Sequence, residues 1–376
     1  MLADAVAEPA MQTLHNRMGK SLRVSTKESA GTCQGVPAEN CKTIRCLTEA
    51  QVQKLYKLKG WLDECAQPGT ELRFATRISD GLEVVIKIRR KGFSQEAEWR
   101  SNAKVQLNMP ASDNTCALLD IIETNRYYYV VMEKVEGRDL FEQARSTHLN
   151  ISDTHEILRQ IIKALEFMHE MGRIHRDVKL ENVMVNMEAP MSPTSPESPA
   201  VKIIDFDTVS DWDPLSPKSR ELVGTDIYLA PEAYGGDFSP ASDMYSVGVI
   251  MYKMLTGSFP LPADIFDGPR SNFVGSPEVK RIHQRVCTHK IDFHALSKTS
   301  SPLGADLCQK LLAFDPRLRP SAEECLRHEW FDPKMARQRT CTSTSTSPGQ
   351  SRCSTEEDII FDPDFSDEED EEVISI

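Results

Sequence analysis

The alternation of apolar and polar positions changes character once along the chain. From Tyr56 it has a strand period. "YKLKGWL", "ELRFATRI", "LEVVIKIRR" and "YYYVVMEKV" are short runs rich in β-branched and aromatic side chains, and "SDG" at 79–81 supplies a turn between two of them. "TEAQ" at 48–51 has the form of a capping box opening a short helix. Between the third and fourth strands, "SQEAEWRSNAKVQL" reads as a helix. After "VEG" helices take over. "SDTHEILRQIIKALEFMHEMG" sets Ile157, Ile161, Leu165 and Met168 on one face, with Gly172 placed to end it. "SDMYSVGVIMYKMLTG" is apolar all round, as a buried helix would be. The pattern predicts a small sheet-rich lobe, then a larger helical one, joined near residues 133–137. A cleft between two lobes is a common place for a ligand.

Composition sharpens this only at the ends. The 376 residues suffice for one large domain or two smaller ones. The net charge of −13 is concentrated: from Cys353 onward there are 11 Asp and Glu and no Lys or Arg, and without them 46 acids face 44 bases. The body is therefore near neutral, with no fold-wide preference for cationic partners, and we expect neither a nucleic-acid nor a membrane partner. Ten cysteines are scattered without a CxxC pair or metal-ligand spacing, which suits reduced thiols. "MLADAVAEPA" lacks the features of a secretory leader, and no stretch is apolar and long enough to span a bilayer. An intracellular protein is expected, cytoplasmic with the nucleus left open.

Residues 1–46 show no periodicity and are expected to be disordered. So are residues 337–376, a Ser/Thr-rich stretch followed by the acidic run. Within an insert at 187–200, "APMSPTSPESPA" spaces Pro190, Pro193, Pro196 and Pro199 at a polyproline II period. Two readings stay open there: a plain surface loop, or Ser-Pro phosphorylation sites at Ser192, Ser195 and Ser198.

The densest chemistry lies in "IHRDVKLENVMV" at 174–185. Phosphoryl transfer to a hydroxyl needs a proton acceptor, a clamp on the migrating phosphate and ligands for the metal that neutralises the triphosphate. Here Asp177 suits the base, Lys179 the phosphate partner and Asn182 a Mg²⁺ ligand. Asp205, ending the strand of "VKIIDFDTVS", suits a second ligand.

In this order and spacing the residues resemble the protein kinase family. "VVIKI" supplies the strand lysine, Lys87. "GTDIYLAPEAY" resembles the family's substrate-docking segment, "SDMYSVGVI" its buried central helix and "DPRLRPSAEECLRHEWF" its closing segment. The resemblance runs over roughly residues 54–332 and is nearest to the calcium/calmodulin-dependent group, without an EF-hand loop. It implies an α+β bilobal kinase fold over residues 47–336. The antiparallel sheet lobe with one main helix would reach to about 134, and the mostly helical lobe would begin at about 138.

The resemblance also implies ATP and Mg²⁺ (or Mn²⁺) as cofactors, a protein substrate and a monomer. Lys87 would hold the α/β-phosphates. Leu62, Leu72, Val85 and Met184 would sandwich the purine, with Met132 as gatekeeper and the backbone of Glu133 and Val135 at the adenine edge. Asp139 would meet the ribose or a substrate arginine. Glu232 and Arg319 would form a buried pair behind the docking segment, and Asp243 would anchor the catalytic loop. Thr225 would contact Asp177 and Lys179, as in Ser/Thr kinases. Glu221, four residues earlier, would pair with Arg176 in place of an activating phosphate, with Ser216 and Ser219 as alternative phosphorylation sites. Asp139 and Glu181 would receive an arginine three residues before the target hydroxyl. Lys253 stands where some basophilic relatives carry an acid for a second arginine. "RQRT" at 337–340 would make Thr340 a self-phosphorylation site.

Three departures complicate this. The family's glycine loop falls near Cys65, Gln67 and Thr70, where only Gly69 is present and out of register. A gap-free count places the helix glutamate that should pair with Lys87 at Arg100. Glu96 shares a face with Ala103 and Leu107 but is close in sequence to Lys87, and Glu98 faces away. Finally, Asp207 replaces the hinge glycine after Asp205, adding charge beside the metal site. The retained Lys87, Asp177, Lys179, Asn182 and Asp205 favour an active enzyme; a pseudokinase scaffold acting through partners is the alternative. A kinase of small molecules is disfavoured by the intact docking segment.

Overall fold

The computed structural model describes residues 42–64, 69–93, 96–146, 149–188 and 199–331, and the side chains of 61–64 and of Glu98 fall outside that set. Expectations for residues 1–41, for Ser192, Ser195 and Ser198, and for the tail with Thr340 lie outside the described residues.

The first lobe contains β1 (Arg45–Cys46), α1 (Glu49–Leu55), β2 (Tyr56–Glu64), β3 (Thr70–Arg77), β4 (Glu83–Arg90), α2 (Glu96–Gln106), β5 (Leu118–Glu123) and β6 (Tyr127–Glu133). The strands form one sheet in the order β1-β5-β6-β4-β3-β2. The expected capping box opens α1: Thr48 Oγ1 accepts from Gln51 N, and the Gln51 side chain accepts from Thr48 N at 2.8 Å. The "SDG" turn closes with Arg77 N donating to Leu82 O at 2.8 Å and Gly81 at φ 77°.

Two features differ from expectation. β5, "LLDIIE", escaped the periodicity reading because it is an inner strand with apolar residues on both faces and two acids, Asp120 bonded to Arg45 and Glu123 paired with Lys91 and Arg100. And β1 pairs parallel with β5, so residues 42–46 belong to the domain and not to a disordered segment, with Ile44 buried beside Trp99. A two-residue strand is too short to show a period.

Strand alternation decides what each face of the sheet does. Val84, Ile86 and Ile88 are buried against Val52, Tyr56 and Val131. Val85, Lys87 and Arg89 therefore share the other face. On that face the register sets Phe74 opposite Val85, Leu72 opposite Lys87, and Met132 and Val130 opposite Val85 and Lys87. Trp99 and Ala103 of α2, with Leu107 just past its end, pack there on Ile121, Tyr128 and Val130.

The second lobe comprises β7 (Arg138–Asp139), α3 (Leu140–Ser146), α4 (Ile151–Glu170), β8 (Arg173–Ile174), β9 (Val183–Asn186), β10 (Ala200–Ile203), β11 (Ser210–Asp211), α5 (Pro240–Thr256), α6 (Pro277–Thr288), α7 (His294–Thr299), α8 (Pro302–Leu311) and α9 (Ala322–Leu326). β10, β9 and β7 form one small sheet, β11 and β8 another. Ile157, Ile161, Leu165 and Met168 of α4 are fully buried, as their spacing predicts. Truncating any of them to Ala costs about 2–5 kcal/mol. α5 is buried on every side. Gly248 lets α8 approach, since a Cβ there would stand 2.9 Å from Leu311 Cβ. Gly137, at φ 112°, crosses between the lobes against the backbone of Val185 where no side chain fits. Among the described residues no helix is long and apolar enough to cross a membrane.

Candidate active site

Several residues expected at a purine lie where the lobes meet. Leu72, Val85 and Met132 share the Lys87 face of the sheet. Met184 on β9 pairs with Asp139 on β7 just beyond the crossing. All four apolar side chains are only half-buried, unlike the core behind them. The side chain of Leu62 lies outside the described residues. Glu133 is spoken for: its N–H donates to Ala117 O at 3.0 Å, and its carboxylate accepts from Ala117 N and from Lys202, both at 2.7 Å. The Val135 backbone, by contrast, makes no hydrogen bond among the described residues, so it retains the donor and acceptor a purine edge needs. Asp139 Oδ1 accepts from Glu142 N at 2.8 Å and so caps the start of α3.

Lys87 is 4% exposed and meets two carboxylates: Asp205 Oδ1 at 3.0 Å and Asp207 Oδ2 at 2.8 Å. Arg89, two residues further on the same strand face, reaches the same Asp207 oxygen at 3.5 Å. The Arg89 guanidinium in turn lies 3.6 Å from the Phe93 ring centre and 5.6 Å from that of Trp99. At the far end of α2, Gln106 Nε2 donates to Phe206 O at 2.7 Å. Asp205 has φ 57°, whereas Asp207 is not among the positive-φ residues. An aspartate at 207 therefore carries no backbone strain. Burial pulls the Asp205 carboxyl upward, but the charge and hydrogen bond of Lys87, the Asp207 N–H and His175 outweigh it and hold the group below the ordinary aspartate value.

Glu96 does not meet Lys87. It is the first residue of α2, and its carboxylate turns away: Oε1 accepts from Tyr128 Oη and Oε2 from Gly92 N, both at 2.7 Å. At a helix start a carboxylate is drawn to nearby free donors, and that local bond prevails here. Arg100, where the gap-free count landed, pairs with Glu123.

The catalytic-loop stretch is drawn together by short bonds. Thr225 Oγ1 donates to Asp177 Oδ1 at 2.9 Å and accepts from Lys179 Nζ at 3.0 Å. Asn182 Nδ2 donates to Asp177 O at 2.9 Å and to Asp177 Oδ2 at 3.2 Å. Behind them Asp243 accepts from His175 N at 2.8 Å, Arg176 N at 2.9 Å and the His169 ring at 2.9 Å. Arg176 sits at φ 69°, a conformation the two bonds to Asp243 help impose. Arg319 forms a bidentate pair with Glu232 at 2.6 and 2.8 Å and also bonds the carbonyls of Ala241, Ala313 and Phe314.

One regulatory expectation is corrected. Glu221 makes no ion pair among the described residues; its backbone is held by Ser219 and bridges to Phe273. Arg176 instead donates to Thr208 O at 2.5 Å, with its guanidinium 5.8 Å from the Phe238 ring centre. Lys253, at the position where some basophilic relatives carry an acid, is buried within α5 and donates to Gly257 O at 2.6 Å.

A cavity of about 540 Å³ opens beside this cluster, lined by Arg89, Phe93, Arg176, Asp177, Asp207 and Thr225 among others. Another, of about 660 Å³, is lined by Arg45, Lys54, Tyr56 and Arg77 and contains none of the residues expected to act on phosphate. Sequence reasoning overlooked Arg89, Gln106 and His169. Arg89 was within reach, because residues two apart on a strand share a face. The other two depend on contacts across about 70–100 positions and leave no local signal.

A family model described as "Protein kinase domain" matches residues 71–331, well over half of the chain. The chain is 31% identical over 221 residues to calcium-dependent protein kinase 4 of Plasmodium berghei, covering 58% of this chain and 38% of that protein. It is 29% identical over 274 residues to serine/threonine-protein kinase 17A of Oryctolagus cuniculus (71% and 62%) and 29% identical over 259 residues to sperm motility kinase 3A of Mus musculus (66% and 45%). The chain spans less than two thirds of the length of each of these relatives. With the match running from β3 to the last described residue and the lobes arranged about a shared cleft, the chain belongs to the protein kinase family.

Proposed function

We propose that this chain is an active serine/threonine protein kinase that transfers the γ-phosphate of ATP to hydroxyls of protein substrates. The observation that carries the reading is the Asp177–Thr225–Lys179 contact set, with Asn182 bonded to the same aspartate. Asp177 Oδ1 accepts from the Thr225 hydroxyl and Oδ2 from Asn182 Nδ2, which together orient the carboxylate, and the remaining lone pair of Oδ2 accepts the proton of an incoming hydroxyl as the P–O bond forms. Lys179, held by Thr225, presents a positive charge where negative charge moves during transfer. Lys87 binds the α/β-phosphates, and Leu72, Val85, Met132 and Met184 clasp the purine.

The donor set suits a hard cation. Asn182 spends its amide N–H on Asp177, which leaves Oδ1 as a ligand, and Asp205 adds carboxylate oxygen. A bound Mg²⁺ or Mn²⁺ would supply positive charge against the triphosphate. The side chains' own task is to hold those oxygens in place. Asp139 and Glu181 favour substrates with an arginine before the target residue. We place the enzyme in the cytoplasm as a monomer.

The test is transfer from labelled ATP to the protein itself or to a basic peptide, with Mg²⁺ or Mn²⁺. Asp177→Asn should cut the rate by about 10²–10⁴. Equal signal from wild type and Asp177→Asn would overturn the reading and leave a pseudokinase scaffold in its place.

A further inference from the structure

Asp207 stands where the family carries glycine, and its carboxylate lies between two cations of one strand face. Lys87 Nζ is 2.8 Å away and Arg89 Nη1 3.5 Å. We infer that Asp207 is a positioning residue for Lys87: it holds the ammonium at the phosphate site through a carboxylate built into the loop after Asp205. The inference rests on the reading of Lys87 as the phosphate-binding lysine.

In the present arrangement Lys87 is shared between Asp205 and Asp207. A metal-ligating Asp205 must turn part of its charge toward the cation, which weakens its hold on Lys87. A second fixed carboxylate, that of Asp207, then helps keep the direction of a buried ammonium on a flexible four-carbon stem. Asp207 fits this in three ways. Its backbone is unstrained, so the side chain can sit there permanently. Its side chain is 12% exposed, and so the pair is weakly screened. And Arg89 balances its charge, so the acid adds no net negative potential where phosphates must enter. Arg89 is itself pinned by its contact with Phe93 ahead of α2, which ties the arrangement to the helix side of the lobe. The departure that resembled decay thus becomes a working part.

The measurements are kcat and KM for ATP, together with the Kd for Mg·ADP by calorimetry, which needs no turnover. Asp207→Asn keeps the shape and removes the charge; Asp207→Gly restores the family residue. Both should weaken Mg·ADP binding and lower kcat/KM by roughly tenfold or more, and Asp207→Glu should recover part of each loss. Because Asp207 and Arg89 act as a unit, Arg89→Gln combined with Asp207→Asn should cost clearly less than the two single losses together. The inference is overturned if Asp207→Gly matches or exceeds wild type in both readouts. It also fails if the Asp207 variants lower only the melting temperature, which would be a structural role. Failure of the functional reading looks different. If wild type transfers no phosphate yet binds Mg·ADP, and Asp207→Asn weakens that binding, the inference stands and the kinase activity falls. If wild type is active and the Asp207 variants are unaffected, the activity stands and the inference falls.

Discussion

The two sides of the cleft are held by opposite means. On the helical side, each key acid serves several donors: Asp243 takes two backbone N–H groups and a histidine, and Glu232 takes both arms of Arg319 and the Ser242 hydroxyl. On the sheet side, the contacts given for Lys87 among the described residues come from two carboxylates of one loop, a hydrogen bond to Asp205 and the charge of Asp207. A multiply bonded carboxylate cannot be supplied from elsewhere, because its geometry is matched to particular N–H groups. A charge partner can be, since attraction asks only for the right sign at short range.

The contrast can be broken most directly at the helical side. Arg319→Ala leaves Glu232 buried without its partner and should destabilise the protein by about 3–5 kcal/mol, read from urea unfolding. If the loss were under about 1 kcal/mol, the pair would be no more specific than a surface salt bridge. Asp243→Asn comes next. It keeps the size but turns one acceptor into a donor facing N–H groups, at a cost of about 1–3 kcal/mol. Activity should fall at least tenfold more than ATP affinity does, because the catalytic loop loses its anchor while the purine wall stays intact.

A pH series sharpens the same point. Burial raises the Asp243 carboxyl, but the hydrogen bond and charge of His169, with His175, hold it below the unperturbed value of 3.8. A carboxyl depressed on folding contributes stability that is fully present above its unfolded pKa and is lost as pH falls through the folded value. Urea midpoints should therefore drop below pH 3.8, and Asp243→Asn should flatten that drop. An identical acid slope in the variant would detach Asp243 from acid stability. The smallest expected effect is at Glu221. Without an ion pair to Arg176, Glu221→Ala should change the transfer rate by less than about twofold, and a large loss would restore the phosphate-mimic idea.

Much of the fold was legible in the chain. α4 follows from four apolar residues at helical spacing, and the Lys87 strand from period-two alternation. Both patterns report burial on one face, which neighbours of any identity can provide. β5 was not legible, because an inner strand buries both faces and loses its alternation. β1 was not legible either, because its place rests on parallel pairing with a strand nearly 80 residues away. In the site, Asp177, Lys179 and Asn182 could be read together because one short loop carries them. The contact of Asp207 with Lys87 could not.

What the sequence determined by itself is therefore the kinase order of elements and the residues carried by contiguous motifs, since hydrophobic period and local spacing are properties of neighbouring positions. The tertiary structure alone decided how the charges pair. Glu96 is drawn to Tyr128 and Gly92, while Asp207, 120 positions after Lys87, arrives within 2.8 Å of its ammonium. An ion pair depends on separations of a few ångströms that no spacing along the chain encodes.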